Sequence, residues 1–172
     1  PTLKPAFKKN GTVTAASSSG ISDGAAALVL VRESYAAGKG LKPMARILGY
    51  TSFAREPEWF TLAPVGSIQK LLKQLNWQAA DVDLYEINEA FACVAMAPMT
   101  DLGIPHEKLN VNGGAVALGH PIGASGARLL VTPLHALKAR RCKAGVASPP
   151  LAGGDASHLP VQPSSDGKDR PP

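Results

Sequence analysis

The sequence predicts an α/β domain in which helices form layers on a sheet. Short apolar runs alternate along the chain with longer segments whose apolar residues recur at helical spacing. This alternation is typical of layered α/β domains. The length of 172 residues suits one domain with one core. We expect that domain to cover residues 1–159, followed by a disordered tail over residues 160–172.

The first half of the chain contains two strand candidates and two helix candidates. Residues 25–31 form an apolar run with a β-branched end, which favours a buried strand. A short helix is expected over residues 33–37 and a second strand over residues 44–50. Pro64 then opens an amphipathic helix, because proline is favoured in a first helical turn. The apolar face of that helix consists of Val65, Ile68, Leu71, Leu72 and Leu75.

The second half repeats the alternation of strand and helix. Residues 82–87 predict a short buried strand, followed at once by a helix with Glu89 in its first turn, where negative charge is favoured. Pro98 is expected to kink this helix, because proline removes a backbone hydrogen bond. A glycine-rich loop over residues 109–126 precedes another amphipathic helix, and a last strand begins at residue 144. The two apolar faces are Phe91, Val94, Ala95, Met99 and Leu102, and then Ala127, Leu130, Val131, Leu134 and Leu137.

Composition and charge argue against several classes of function. The net charge is +5, but the basic residues are scattered without aromatic interleaving, so we expect no nucleic-acid partner. No apolar run approaches the roughly 20 residues of a membrane span, so we expect no membrane partner. No secretory signal is visible, and Cys93 and Cys142 have neither zinc-site nor disulfide spacing, which favours a cytoplasmic location. The first residue is Pro rather than Met, which is typical of a piece cut from a longer protein.

The most informative stretch for chemistry is residues 112–126, which read N-G-G-A-V-A-L-G-H-P-I-G-A-S-G. Its glycines permit the close approach of a ligand to His120. The helix that follows would direct its positive N-terminal end at the imidazole, lower its pKa and keep it neutral, as a general base must be. Two alternatives stay open: a histidine that only satisfies hydrogen bonds in a tight turn, and a nucleotide-phosphate loop. The second lacks the expected G-x-G-x-x-G or G-K-[ST] pattern.

Four motifs, in the same order along the chain, resemble those of the thiolase family. They are F-K-K-N-G-T-V-T at residues 7–14, S-G-I-S-D-G-A-A at 19–26, N-E-A-F-A at 88–92, and the glycine-rich stretch with G-H-P at 119–121. The chain is similar to the C-terminal domain of a thiolase of the acetyl-CoA acetyltransferase type. This resemblance implies a mixed β-sheet with helices packed on it, and somewhat under half of a complete thiolase.

The resemblance also implies an acyltransferase that cleaves or forms a carbon–carbon bond in 3-oxoacyl-CoA, with coenzyme A as a substrate and with neither metal nor cofactor. His120 matches the histidine that activates the acyl-carrying cysteine of the N-terminal half, since only the thiolate is a good nucleophile. Asn88 matches the asparagine that holds a water beside that histidine to form an oxyanion hole. A strand-end or N-cap role is the alternative for Asn88.

Five further residues match the family's walls around coenzyme A. Ser19 and Gly20 match the pantetheine channel, and Phe7, Ala90 and Phe91 match apolar walls near the same ligand. A flexible turn is the alternative for the first two, and a core position is the alternative for Phe91. The implied partners are acyl-CoA or coenzyme A, an N-terminal thiolase half and, in the complete protein, further copies in a homo-oligomer.

The sequence departs from the family pattern near its end. Aligned without gaps, Pro150 stands where the family has the cysteine that moves the proton at the substrate α carbon, and proline has no titratable group. Ala152 stands where a glycine amide helps to form the second oxyanion hole. We expect neither Cys93 nor Cys142 to replace the cysteine, because the first lies in a predicted helix and the second precedes the last strand.

Prolines occur at five positions that are predicted to lie in a helix or a strand: 98, 133, 149, 150 and 160. One interior helical proline costs about 3 kcal/mol, against the about 5–15 kcal/mol that stabilises a native domain. We therefore expect this chain alone not to catalyse, and a degenerate copy, an altered reading of the gene and a sequence error all stay open. The alternative function is a non-catalytic coenzyme A-binding or interaction module. A 3-oxoacyl synthase is disfavoured by N-E-A-F-A together with a single G-H-P.

Overall fold

A mixed five-stranded sheet forms the centre of the fold in the computed structural model, which describes residues 2–149 and 155–164. Its strands are β1 (Ala45–Ile47), β2 (Thr51–Ala54), β3 (Leu84–Ile87), β4 (Gly145–Ser148) and β5 (Asp155–Pro163). Their spatial order is β1-β5-β4-β3, and β2 also pairs with β5. Strands β3 and β4 are parallel and the other pairs are antiparallel. The expected α/β class with a mixed sheet is therefore confirmed.

Helices cover both faces of this sheet. They are α1 (Glu33–Gly38), α2 (Ala63–Leu75), α3 (Ala92–Leu102), α4 (Ala115–Leu118) and α5 (Ile122–Arg140). Short 3-10 turns lie at Ala15–Ser17, Pro57–Leu62, Ala79–Asp81 and His106–Lys108. Helix α5 packs on β3 and β4, α2 packs on β2 and β5, and α3 packs against α2. None of the described helices is long and apolar enough to cross a membrane.

The side chains of β3 alternate between two apolar clusters. Tyr85 and Ile87 belong to a cluster shared with α2 and α3, whereas Leu84 belongs to a cluster shared with α5. All four residues of the strand are buried, as expected for a parallel strand covered on both faces. The same alternation places Glu86 on the α5 side of the sheet, which brings a charged residue into a buried position next to the candidate site.

The amphipathic helix expected from Pro64 onward is confirmed as α2. Pro64 lies in its first turn, where the missing N–H has no cost, and Ile68 and Leu71 are fully buried. The helix ends at Asn76, which adopts a left-handed conformation with φ of 56°. Asparagine tolerates that conformation better than most residues, so the sequence itself ends the helix there.

The prolines are accommodated inside regular structure. Helix α3 is continuous through Pro98 and α5 is continuous through Pro133, and both prolines are buried. Pro160 lies within β5, where its carbonyl oxygen accepts a hydrogen bond from the Leu48 amide at 3.1 Å. The fold therefore contains these three residues without losing the elements that carry them. Pro150 lies outside the described residues.

The strand expected over residues 25–31 is wrong. No backbone hydrogen bond joins residues 21–31 to any other backbone group in the described part of the chain. Val29 is 92% exposed and Leu30 is 70% exposed, while Leu28 packs on the α5 cluster. A β-branched apolar run forms a strand only where a neighbouring strand accepts its hydrogen bonds, and the described residues supply none here.

Three further expectations need correction. The strand predicted at 44–50 is shorter, β1 at Ala45–Ile47, and a second strand that was not predicted, β2 at Thr51–Ala54, follows it; the two pair with successive parts of β5. The glycine-rich loop contains α4, and α5 begins at Ile122 rather than after residue 126. Residues 160–163 belong to β5, so no disordered tail begins at 160. Proline-rich composition was misleading there, because a strand between two partners is held by the hydrogen bonds of its other residues.

Candidate active site

The candidate site lies where the parallel strands β3 and β4 end side by side. Asn88 directly follows β3, and its amide donates to the Ser148 carbonyl oxygen at the end of β4 at 3.2 Å. Both residues are 1% exposed. Asn88 Oδ1 and Ser148 Oγ are buried and have no hydrogen-bond partner among the described residues. Buried polar atoms are rarely left unpaired, so these two atoms indicate a binding site at this edge of the sheet.

His120 reaches the same edge from the loop between α4 and α5. Asn88 Nδ2 lies 3.3 Å from His120 Nε2. The backbone turns at Gly119, whose φ of +93° suits glycine and few other residues. The His120 amide donates to the Gly20 carbonyl oxygen at 2.9 Å, so a third segment of the chain holds the histidine in place.

The hydrogen bonds of His120 define its tautomer. Ser125 Oγ donates to the Pro121 carbonyl oxygen at 2.9 Å and lies 2.6 Å from His120 Nδ1. With the one hydroxyl hydrogen directed at Pro121 and the Asn88 amide donating to Nε2, Nδ1 is the donor toward Ser125 and carries the ring proton. Nε2 then carries the lone pair, which accepts from Asn88 Nδ2 over 3.3 Å and is the site at which a general base takes a proton.

The pKa of His120 is lower than its ordinary value. Burial is the main cause, and the positive charge of Arg128 on α5 lowers the pKa further. The direction expected from the sequence is thus confirmed, while burial and Arg128 are the causes seen in the fold. A lowered pKa keeps the imidazole neutral and able to take a proton at neutral pH.

The predicted substrate-binding residues lie beside His120 on two segments that contact each other, residues 18–20 and residues 90–91, and Phe7 contacts Phe91 at their far end. We call these two segments together the seam. Ser19 donates to the Ala90 carbonyl oxygen from its amide at 3.1 Å and from its hydroxyl at 3.2 Å. Ser18 forms an isolated antiparallel bridge with Phe91. Since Gly20 contacts His120, residues 18–20 connect the N-E-A-F-A segment to the histidine. The structure therefore brings together residues that are about 100 positions apart in the sequence.

Aromatic side chains form a cleft at the far end of this seam. Phe91 makes edge-to-face contacts with Phe7 and Phe60, with ring centroids 5.6 and 6.1 Å apart. A cleft of about 260 Å³ is lined by Phe7, Val13, Phe60, Thr61, Phe91 and Cys93. Phe7 is 74% exposed, so it forms a wall and not a core contact. A larger cleft of about 450 Å³, between the C-terminal ends of α2 and α3, contains none of the predicted site residues.

A buried ion pair lies behind the histidine and was not anticipated from the sequence. Arg128 Nη1 donates to Glu86 Oε1 at 3.0 Å, and the Glu86 side chain is 2% exposed. Burial raises the pKa of Glu86 to about 7, although the Arg128 charge opposes that rise. The alternation of β3 side chains puts Glu86 on the side of the sheet that α5 covers, and only the packing of α5 on β3 brings Arg128 to it.

Glu89 lies elsewhere than expected. Helix α3 begins at Ala92 and has no acidic residue in its first turn. The Glu89 carboxylate points to the glycine-rich segment, where Oε1 accepts from Asn110 Nδ2 at 2.7 Å and Oε2 accepts from the Val116 amide at 3.2 Å. Helix α3 starts later than its apolar pattern suggests, because Phe91 is its extended N-cap residue and bridges to Ser18.

The position of the family's second cysteine lies outside the described residues. Pro150, aligned with that cysteine, and Ala152, aligned with the oxyanion glycine, both fall there. Cys93 lines the aromatic cleft and Cys142 follows the C-terminal end of α5, and both are free thiols. Burial is the main cause that raises the pKa of Cys142, so less of it is present as the reactive thiolate.

Comparison with known families gives matches along nearly the whole chain. Residues 41–162 match the thiolase C-terminal domain, and residues 1–34 match the thiolase N-terminal domain. The segment containing Ser19 and Gly20 therefore lies within the match to the N-terminal domain. The boundary between the two matches falls near α1, within the range that the sequence predicts as one domain.

Individual relatives give the same result. The chain is 52% identical over 160 residues to an acetyl-CoA acetyltransferase of Escherichia coli, covering 93% of this chain and 41% of the relative. A crystal structure of the Bacillus anthracis acetyl-CoA acetyltransferase superposes with a TM-score of 0.91 at 45% identity, covering 95% of this chain and 41% of that one. Acat5 thiolase from Ascaris suum in complex with coenzyme A gives a TM-score of 0.86 at 39% identity, with 95% and 43% covered. The chain thus spans about two fifths of the length of these relatives.

Proposed function

The chain belongs to the thiolase family, and from that membership we propose that it forms the C-terminal part of an acetyl-CoA acyltransferase. The reaction would be thiolytic cleavage of a 3-oxoacyl-CoA, or the reverse Claisen condensation of acyl-CoA with acetyl-CoA. One observation carries the proposal: the imidazole of His120 lies between Ser125 at Nδ1 and Asn88 at Nε2, at the ends of β3 and β4. Fatty-acid metabolism in the cytoplasm is the setting we propose for it.

In this proposal His120 takes the proton of a cysteine thiol supplied by the N-terminal part of the protein. The thiolate would attack the 3-oxo carbonyl carbon, the bond between the α and β carbons would break, and acetyl-CoA would leave once its α carbon has taken a proton. The thiol of coenzyme A would then displace the cysteine from the acyl group, and the cysteine sulfur would leave as a thiolate or regain a proton. Asn88 would hold a water through Oδ1, which is buried without a partner among the described residues. That water and the His120 ring would stabilise the negative oxygen that develops on the thioester.

Coenzyme A enters this scheme as a substrate. Ser19, Gly20 and Ala90 lie along the seam that leads from His120 toward the aromatic cleft. A narrow pantetheine arm needs small residues beside it, and Phe7 and Phe91 offer apolar surface next to them. The complex of the Ascaris suum relative with coenzyme A supports the choice of ligand.

The N-terminal part of the protein is the proposed partner of residues 25–31. This segment has apolar side chains, lacks backbone hydrogen bonds to the described residues, and lies within the match to the N-terminal domain. A strand supplied by the rest of that domain would satisfy its backbone and cover Val29 and Leu30. A homo-oligomer of the complete protein remains part of the proposal.

A second candidate function is a non-catalytic coenzyme A-binding module. The observation that favours it is Pro150, which stands where the family has its second reactive cysteine. Without a titratable group there, a chain could keep the seam beside His120 and bind coenzyme A while the proton transfer at the α carbon fails.

A graft into a relative separates the two functions. In the grafted enzyme, this chain replaces the matching 160 residues of the Escherichia coli acetyl-CoA acetyltransferase. Acetoacetyl-CoA thiolysis is then measured with Pro150 and with Pro150→Cys. Activity that depends on the Pro150→Cys substitution supports a thiolase scaffold with one lost group. If the substituted enzyme is folded and binds coenzyme A in calorimetry but has no thiolysis, the binding module is the better description.

A further inference from the structure

We infer that Glu89 and Asn110 form a clamp that positions Asn88 against His120. This inference rests on the proposed function, because it concerns how the proposed base is held. Neither residue touches His120, so both are positioning residues. The clamp joins the end of β3 to α4, the two segments that lead into Asn88 and His120.

Asn110 acts as a substitute strand partner at the end of β3. Its Oδ1 accepts from the Ile87 amide at 2.8 Å, and its Nδ2 donates to the Ile87 carbonyl oxygen at 2.9 Å. Its own amide donates to the Tyr85 carbonyl oxygen at 2.8 Å. The residue adopts φ of +46°, which asparagine tolerates, and is 8% exposed. These bonds fix the backbone immediately before Asn88.

Glu89 extends the same set of bonds to α4. One carboxylate oxygen accepts from Asn110 Nδ2 at 2.7 Å, and the other accepts from the Val116 amide at 3.2 Å. The carboxylate therefore links a residue next to Asn88 with the first turn of α4. Hydrogen bonds to an ionised acceptor are stronger than neutral ones, so this link resists displacement.

Gly114 permits the close approach that this link needs. A Cβ atom at that position would lie 2.1–2.3 Å from the Glu89 carboxylate atoms. Helix α4 then leads directly to the histidine, with the Gly119 amide donating to the Ala115 carbonyl oxygen at 2.8 Å. Hydrogen bonds thus join Glu89 to α4 and α4 to Gly119, the residue before His120.

The clamp is needed because the contact that it supports, between Asn88 and His120, is long. Asn88 Nδ2 and His120 Nε2 are 3.3 Å apart, near the upper limit of a useful hydrogen bond. A further displacement of about 1 Å would remove the contact, and displacements of that size can reduce a rate by about 100-fold. A clamp on both backbones prevents this displacement without occupying the site.

Two nearly isosteric variants test the clamp. Glu89→Gln keeps the shape but places an NH₂ group where one oxygen accepts, and Asn110→Asp removes the Nδ2 donors. Glu107→Gln and Gln69→Glu are controls for the loss and the gain of a carboxylate, because both residues are exposed and lie away from the site. The readout on the 172-residue chain is the ¹⁵N NMR spectrum of the histidine rings, with His120 assigned by His120→Gln.

We expect the wild-type chain and the controls to show one His120 tautomer, protonated on Nδ1. Glu89→Gln should unfold at the same temperature as the controls within a few degrees, whereas Asn110→Asp should unfold at a lower temperature, because its carboxylate would lie against that of Glu89. Both variants, measured folded, should show an averaged His120 ring. In the grafted enzyme with Pro150→Cys, kcat should fall about 10- to 100-fold in the clamp variants. The KM for acetoacetyl-CoA should change less than about threefold, since the channel residues are untouched.

The outcomes separate the clamp from the proposed function. Folded clamp variants that retain the wild-type His120 spectrum overturn the inference, whatever their activity. Unfolding of both variants also overturns it, because the residues would then support the fold and not the site. If the grafted enzyme is inactive with wild-type Glu89 and Asn110, the proposed function fails, and the NMR comparison still decides the clamp.

Discussion

His120 Nδ1 lies 2.6 Å from the hydroxyl oxygen of Ser125, one turn into the helix that follows the histidine. With the hydroxyl hydrogen on the Pro121 carbonyl oxygen and the Asn88 amide donating to Nε2, the ring is the donor in the shorter contact. A residue on a rigid helix therefore sets which ring nitrogen carries the proton, and Nε2 is left as the base.

Replacing Ser125 should weaken the base without unfolding the domain. In the grafted enzyme with Pro150→Cys, Ser125→Ala is expected to lower kcat about 10-fold or more, because the ring loses the partner that fixes its tautomer. Thiolysis rates and the ¹⁵N spectrum of His120 are the measurements. Ser34→Ala, at an exposed position on α1, is the control. An unchanged rate with an unchanged tautomer would refute the role of Ser125.

The acidic limb of the pH–rate profile should lie below the ordinary pKa of a histidine. The pKa of His120 is lowered mainly by burial and secondarily by Arg128, so the base stays neutral to lower pH than a free imidazole. Replacing Glu86 and Arg128 together by Gln removes the Arg128 charge and should move that limb to higher pH. If the acidic limb of the pH–rate profile lies at the same pH in the double variant, Arg128 has no influence on the pKa of His120.

Glu86 should make the domain less stable as pH rises. Its pKa is raised from 4.5 to about 7 in the folded state, mainly by burial, so the folded chain holds a proton that the unfolded chain has lost in that range. Stability contributed by this proton is present below about pH 4.5 and is lost by about pH 7, with a difference of about 3 kcal/mol.

Urea denaturation of the wild-type chain and of Glu86→Gln across this range is the measurement. We expect the stability of the variant to increase relative to wild type between pH 4.5 and about pH 7, since Gln cannot lose a proton. A difference between the two proteins that stays constant over the range would mean that Glu86 remains ionised throughout, paired with Arg128.

Residues 25–31 should tolerate charge in the isolated chain but not in the complete protein. Val29 is 92% exposed, so Val29→Glu is expected to change the free energy of unfolding of this chain by less than about 0.5 kcal/mol. In the grafted enzyme the same change should impair folding or soluble yield, because a charge would enter a buried strand. Val31→Glu offers a second test, and Lys39→Glu is an exposed control.

The sequence predicted correctly the helices and strands whose structure is determined by the pattern of their own residues. Helix α2 has both a proline in the first turn and an apolar stripe, and β3 is a short run buried on both faces. The site residues could be found because glycines surround His120 and because Asn88 begins a recognisable motif. The structure then places Asn88 and His120 in contact, as the resemblance implied.

What failed depended on partners distant in sequence. Residues 25–31 have strand composition, but no described strand pairs with them, and β5 forms from a proline-rich segment because three strands bond to it. Glu89 looked like a helix N-terminal charge until the structure placed its carboxylate on the Val116 amide. The Ser125 contact and the Glu86–Arg128 pair likewise follow from how α5 lies over β3, which no local pattern states.

The role of His120 as the base is decided by the rate of acetoacetyl-CoA thiolysis in the grafted enzyme with Pro150→Cys, compared with the same protein carrying His120→Gln. We expect measurable thiolysis in the first and a loss of kcat of about 100-fold or more in the second, since a thiol without its base is a weak nucleophile. Both proteins should bind coenzyme A with affinities that differ less than about threefold, because the channel residues are the same. Thiolysis that persists within a few-fold after His120→Gln would contradict the assignment of His120 as the base.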